Sequence, residues 1–576
     1  MKKIKIFLML TVGLSMAMTS CLDLNPQDQL ADGNLWKSAS DFKYFANNFY
    51  GWTRDFTNIY NDGPHSDLRS DLMIPVSSTN AFSHGNNSIT NSDGNYTDNY
   101  NRIRRTNLLL KNATNYKGGE SIDQYVGEAY FFRAYCHFEL VQQFGDVIID
   151  RDVMDINSPE LQSVRNPRID VIDFIIQDLN DAIAKLPEIA PENGRINKYA
   201  AYAFLSRVAL YEGTWQKFRG NEAKGKELLG IAADAAKQVI TNGGYELFNP
   251  VALDNLSYKY LFTLEDAQST PVASLTKAGN KEYIFYRRHD NDQSRFNINI
   301  TKGAVGNAFS INRKFVNLYL CSDGLPIEKS SKFQGYSTMT SEFQNRDNRM
   351  DNCFLYNGEK YWMNTATTCR IDWKGMDGLD AQNAQTCSAS HGSGYQNRKW
   401  GTERQVIDYY EGYDFPIIRY AEILLNYAEA VYERDGSINN ADLDLSLNKV
   451  RLRVNPDMPK LSNELVSANG LDMRTEIRRE RTVELFFEGF RIDDLKRWKT
   501  AETEMPQDIL GIQWTGTQFQ TAWATASSMA KTADGCLILE SGRQWTDKNY
   551  LLPLPSDQLQ LNPNLGQNPG WSVEQQ

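Results

Sequence analysis

Cys136 and His137 sit side by side in FFRAYCHFELVQQFG, and a thiol beside an imidazole is a pairing that nucleophilic catalysis uses. Neighbours on a helix point about 100° apart, however, so the two do not face each other and Cys136 reads as part of an apolar stripe. The other histidines, His65, His84, His289 and His391, are scattered without metal-ligand spacing. No HExxH, GxSxG or phosphate-loop pattern stands where its mechanism would need it. Asn91, Asp93 and Asn95 in NSDGNYTDNY imitate the start of a calcium loop, but Arg102 occupies the twelfth place, where a Glu belongs; the stretch reads as a turn. Carboxylate pairs for glycoside hydrolysis are recognised by their separation in space, and 72 acidic residues leave that choice open. IRRERTVELFFEGFRIDDLKRW interleaves Arg478, Arg479 and Arg481 with Glu480, Glu484 and Glu488, which reads as packing and surface pairs rather than a substrate clamp. The expectation is a protein without catalytic residues, cofactor or metal.

One more cysteine has a chemical setting. Lys2, Lys3 and Lys5 precede the apolar run Ile6–Met18, and Thr19, Ser20 and Cys21 follow it. The run is shorter than the roughly 18 to 20 apolar residues of a membrane-crossing helix and reads as a signal peptide, residues 1–20. A cysteine directly after a small residue resembles the bacterial lipobox, with Met18 where Leu is usual. Cys21 is then the first mature, lipidated residue; buried methylenes at about 0.8 kcal/mol each make several acyl chains a stable anchor. Cleavage removes three of the 61 basic residues and none of the 72 acidic ones, moving the net charge from −11 to about −14. That balance argues against nucleic acid as a partner. The six later cysteines, Cys136, Cys321, Cys353, Cys369, Cys387 and Cys536, form no CxxC or dense framework. Cys353, Cys369 and Cys387 are near enough in sequence to pair.

The elements that would carry these residues are mainly helices. SIDQYVGEAYFFRAYCHFELVQQFG places Ile122, Val126, Ala129, Phe132, Cys136 and Leu140 at helical spacing, with Gly145 as a stop. RIDVIDFIIQDLNDAIAKLP repeats the pattern up to Pro187. NKYAAYAFLSRVALYEG, LLGIAADAAKQVITNGG and PIIRYAEILLNYAEAVYERDG pair an Ala-rich face with a bulky one. Such units joined by short turns predict tetratricopeptide-like helical hairpins, with long irregular loops and a few short strands. Thr57 to Asn101 reads as irregular chain, and Pro553, Pro555, Pro563 and Pro569 predict an extended tail without helix. No linker divides residues 21–576, so one body is expected.

Taken in order, FFRAYCHFELVQQFGDV, NKYAAYAFLSRVALYEG, NLYLCSDGLPI with NRDNRM, PIIRYAEILLNYAEA, IRRERTVELFFEGFRIDDLKRW and NPNLGQNPGW resemble the SusD/RagB family of Bacteroidetes outer-membrane lipoproteins. The likeness spans Cys21 to Trp571. Asn348 stands where the family pattern usually has Pro, and Cys136 where an aromatic or aliphatic residue is common. The resemblance implies a lipid-anchored, cell-surface body that captures oligosaccharides, or in some members peptides, and passes them to a SusC-like TonB-dependent outer-membrane transporter. A surface glycoside hydrolase and a purely structural lid are the remaining alternatives.

A glycan receptor needs exposed rings for C–H faces and Asp, Asn or Arg groups for hydroxyls. Loops rich in both supply the candidates: Asp67, Arg69, Asp71, Phe82 and Tyr96 early in the chain, then Arg288, His289, Asp290, Arg295 and Phe296, and finally Trp362 and Trp373. Family analogy favours the first two groups.

Overall fold

The computed structural model describes residues 35–571 apart from position 62 and the stretches 77–78, 291–298, 302–307, 356–357, 364–367, 374–383, 388–392, 405 and 407–408; for 360–392 it gives backbone only. Cys21, Arg295 and Phe296 lie outside the described residues. Among the described residues, nine longer helices frame the body: α1 (Ala39–Asn47), α2 (Gly94–Ala113), α3 (Asp123–Phe144), α4 (Arg168–Lys185), α5 (Lys198–Lys217), α6 (Glu222–Asn242), α7 (Tyr420–Asp435), α8 (Met473–Glu484) and α9 (Arg491–Trp498). From α2 to α7 each of these helices packs on the next, as stacked hairpins do. None among the described residues is long and apolar enough to cross a membrane.

Local chemistry starts and stops these helices. Ser38 and Asp41 close a capping box on α1, Asn197 accepts from the Ala200 N–H on α5, and Gly145 ends α3 at φ 76°. The calcium-like stretch is a helix start rather than a turn: Asp93 accepts from Asn95 N–H at 2.8 Å and α2 begins at Gly94. The expected irregular region therefore ends there, because a polar N-cap precedes a helix whose buried Tyr96, Ile103 and Leu109 are diluted by polar neighbours. Gly213 lies inside α5. A Cβ there would come within 2.9 Å of Leu229, and one on Gly225 within 2.9 Å of the Gly213 carbonyl, so the two glycines let α5 and α6 approach closely.

Short antiparallel ribbons cover the stack. β1 (Met73–Pro75) pairs with β3 (Phe309–Ile311), β2 (Tyr283–Arg287) with β7 (Phe415–Arg419), and β8 (Ile509–Gln513) with β9 (Cys536–Glu540). PIIR, predicted as helix, is the end of β7, and α7 starts only at Tyr420. β4 (Lys360–Met363), β5 (Thr368–Trp373) and β6 (Ala384–Cys387) form a separate sheet. There Trp362 faces Cys369 and Trp373 faces Cys387. Cys369 and Cys387 are thus offset by four positions along paired strands, roughly 13 Å, too far for a disulfide. Cys353 is a free, buried thiol, as are Cys136, Cys321 and Cys536.

The Arg/Glu run of α8 and its turn into α9 is core. Arg419 pairs with Glu282 at 2.9 Å and with Glu484 and Glu488 at 2.7 Å each, while Lys399 reaches Glu488 at 2.6 Å. Burial raises the Glu484 carboxyl, but Arg453, Arg419 and Arg349 outweigh it and hold it at about 2. The surface pairs expected there are buried ones, since α8 packs against α7 and its Glu484, with Glu488 beyond it, meets Arg419 at the end of β7. Asn348 has a partner-based reason to differ from Pro: its N–H donates to Asn455 at 2.7 Å. The tail returns over α3, with Asn568 donating to the Phe144 carbonyl at 2.9 Å. Contrary to expectation it holds a short helix, Ser556–Leu561, which fits because Pro555 sits at its cap and Pro563 beyond its end.

Candidate ligand-binding site

Two cavities of about 360 and 340 Å³ adjoin at Gly51 and Arg287. The 3₁₀ turn Asn48–Trp52 and the end of β2 supply the shared wall. The first cavity is closed by α2 and α3, which bring Asn95, Asp98, Arg102 and Glu139 to Trp52 and Arg54. The second gathers Tyr50, Glu192, Asn193, Tyr286 and Arg288. Trp52 is half-buried, leaning on Phe49 with centroids 4.6 Å apart.

Asp55 organises the wall. It caps the short helix Phe56–Tyr60, pairs with Arg287 at 3.1 Å and meets His289 Nε2 at 3.1 Å. Burial would raise its carboxyl, but His289 and Arg287 keep it below the ordinary value. On the floor, Arg54 pairs with Glu139 at 2.8 Å. Burial opposes the charge on Glu139, yet Arg54 and His65 win and hold this carboxylate ionised, far below its usual range. At the mouth, Arg102 donates to the Asn99 amide oxygen at 3.3 Å, and among the described residues neither it nor exposed Asp98 is in an ion pair. Rings, amides, a guanidinium and a carboxylate thus share one solvent-facing recess, the mixture that recognises hydroxyl-rich ligands.

The candidates named from sequence separate sharply. Asp67 is buried and accepts the backbone N–H of Phe487 at 2.7 Å and of Arg491 at 3.3 Å; burial raises its carboxyl to about 7. Asp71 is buried under Arg491, which grips it at 2.8 and 2.9 Å, and Lys314 at 2.8 Å. Phe82 is buried edge-on against Trp545, with the Arg69 guanidinium 5.2 Å from its ring. Tyr96 is buried against Tyr100 and Phe144. Asp67, Asp71, Phe82 and Tyr96 are buried, Arg69 is half-buried, and none of them lines either cavity. Arg288 is exposed in the second cavity, His289 is buried behind it, and Asp290 follows half-buried. Trp362 and Trp373 lie on β4 and β5, with no side chain described. Sequence reading missed Trp52, Arg54, Asp98, Arg102 and Arg287. YGWTRDF carried a signal, an aromatic and charged cluster, whereas Asp98 and Arg102 looked like ordinary helix surface.

The suspected thiol and imidazole pair is inert. Cys136 is wholly buried, which pushes its thiol up, and burial drops His137 to about 3 while its Nδ1 contacts the Arg133 carbonyl at 2.9 Å.

Comparison with known proteins agrees with this architecture. The SusD family profile matches residues 278–571, and a profile described as "Starch-binding associating with outer membrane" matches 22–210. A SusD-like protein of Bacteroides ovatus is 23% identical over 461 residues, covering 77% of this chain and 74% of that one. SusD-like protein P2 of Formosa agariphila is 29% identical over 235 residues, 38% of this chain, and the match spans only 45% of that protein. Among solved structures, a SusD-like protein of Bacteroides fragilis superposes with TM-score 0.71 at 22% identity, over 95% of this chain and all of that one. A SusD-like carbohydrate-binding protein of the same species gives 0.70 at 22% identity, over 92% and 99% of the two chains. Surface glycan-binding protein A of Bacteroides fluxus gives 0.57 at 18% identity, over 93% and 100%. With one profile spanning its C-terminal half and the fold shared end to end, this chain belongs to the SusD family.

Proposed function

We propose that this protein is a cell-surface lipoprotein, anchored through Cys21, that binds oligosaccharides non-covalently and hands them to a SusC-like TonB-dependent transporter in the outer membrane. The observation that carries the reading is the double recess, where Trp52, Tyr286, Asp98, Arg102 and Arg288 surround space for a few sugar rings. Names of similar proteins support a carbohydrate ligand and an outer-membrane setting. These names describe binding proteins, which supports a non-catalytic role. Calorimetry of the body lacking residues 1–21 against oligosaccharide and peptide panels tests the reading. Saturable heat with a glycan and no rise in reducing ends is expected. Retention of peptides alone would replace the glycan with a peptide ligand, and released reducing sugar would make the protein a hydrolase. Incorporation of labelled fatty acid, lost in Cys21→Ser, tests the anchor.

A further inference from the structure

His65 is buried between two carboxylates on different helices. Its Nδ1 lies 2.6 Å from Asp493 of α9 and its Nε2 2.9 Å from Glu139 of α3. A neutral imidazole has one N–H, so it satisfies only one of these acceptors and turns a lone pair on the other. With Glu139 and Asp493 both ionised, both contacts are hydrogen bonds only if the ring is an imidazolium. The backbone fits the same position: Gly489, at φ 80°, precedes α9, and a Cβ there would press on Ile59 at 3.0 Å and on the His65 carbonyl at 3.1 Å. The His65 segment is therefore seated against the α9 turn by shape and tied to it by charge.

We propose that His65 is a charged keystone: its imidazolium clamps the segment around Pro64–Ser66 to α3 and α9, fixing the floor of the first cavity at neutral pH and loosening it in alkali. Other charges facing the ring fit this account. Arg54 opposes the proton and shares Glu139, so two cations, Arg54 and His65, balance two carboxylates, Glu139 and Asp493. Lys496 of α9 lies near Asp493, and its burial drops it to about 8, so it loses charge early and leaves Asp493 more available to His65. The Tyr135 hydroxyl of α3 accepts the Arg54 backbone N–H at 3.2 Å, and Tyr211 of α5 lies near Asp493. Asp98 and Arg102 of α2 and Arg287 of β2 stand across the cavity. Burial and Arg54 lower the basicity of His65, but Asp493 and Glu139 outweigh them and raise it. A raised histidine stabilises the fold below its ordinary value near 6.5 and loses that contribution as pH climbs through the folded value. The depressed Glu139 and Asp493 contribute above their ordinary values and fail as pH falls through the folded ones.

The test is an NMR titration of the full chain with ¹³Cε1-labelled histidine, His65→Gln identifying the signal by its loss. The His65 resonance should keep its imidazolium shift through pH 7 and titrate above it. Asp493→Asn should move that midpoint down by about one pH unit or more. A resonance that titrates at or below about 6.5, or that ignores Asp493→Asn, overturns the proposal. If either variant fails to fold, the wild-type titration still decides: with five histidines, all resonances titrating at or below about 6.5 would exclude a charged keystone. No ligand enters the measurement, so its failure is separable from failure of the glycan reading.

Discussion

The segment from Asp67 to Phe82 and the segment from Tyr286 to Asp290 carry the same kinds of side chain, acids, arginines and rings, yet meet opposite surroundings. The first is pressed against α9 and the C-terminal chain, where Asp67 caps the turn before α9 and Asp71 neutralises Arg491 and Lys314. The second leaves the end of β2 and opens into two cavities, with Arg288 exposed. Residue type is therefore a poor guide to binding. What separates the two is exposure: a satisfied, dehydrated carboxylate is architecture, while a charged group at a wet rim has hydrogen-bonding capacity to offer a ligand.

Breaking the first segment should have the largest effect. Asp71→Ala leaves Arg491 and Lys314 facing a buried gap and should cost about 3–5 kcal/mol in denaturant unfolding; a loss under about 1 kcal/mol would mean the segment is not an anchor. Next, Asp67 tests its pH signature. A buried acid raised to about 7 binds a proton in the folded state that the unfolded chain gives up near 4, so wild-type stability should fall as pH rises from about 4 to 7. Asp67→Asn should flatten that slope, and an unchanged slope would assign it elsewhere. On the second segment the pattern should invert. Arg102→Ala and Arg288→Ala should leave stability within about 0.5 kcal/mol and weaken glycan binding about tenfold, near 1.4 kcal/mol. Equal affinity for both variants would move the ligand off this recess. The smallest effect is expected of Arg288→Lys, which keeps charge but loses the planar fork; calorimetry should show only a few-fold loss.

Helix positions were legible because their signals are local. Gly145 and the Gly243–Gly244 pair mark the observed ends of α3 and α6, and the α4 stop at Pro187 lies one residue beyond its Leu186 cap. The role of Gly213 was not legible, because it concerns α6, a neighbour that no window around it contains. PIIR misled because its apolar run suits a buried strand as well as a helix, and pairing with β2 decides between them. Of the recess lining, Arg288 was among the residues named from sequence. Asp98 and Arg102 were not, since a polar helix face looks the same over solvent and over a cavity.

Sequence alone determined the helical framework, the unlikeness to known catalytic motifs and, through the order of its motifs, the resemblance to the SusD family, because periodicity and capping act within a few residues. Only the tertiary structure decided which charges are available. Asp71 meets Arg491 across 420 positions, and His65 meets Asp493 across 428. Electrostatic partnership depends on distance and dehydration in space, and neither is written in the spacing of residues along the chain.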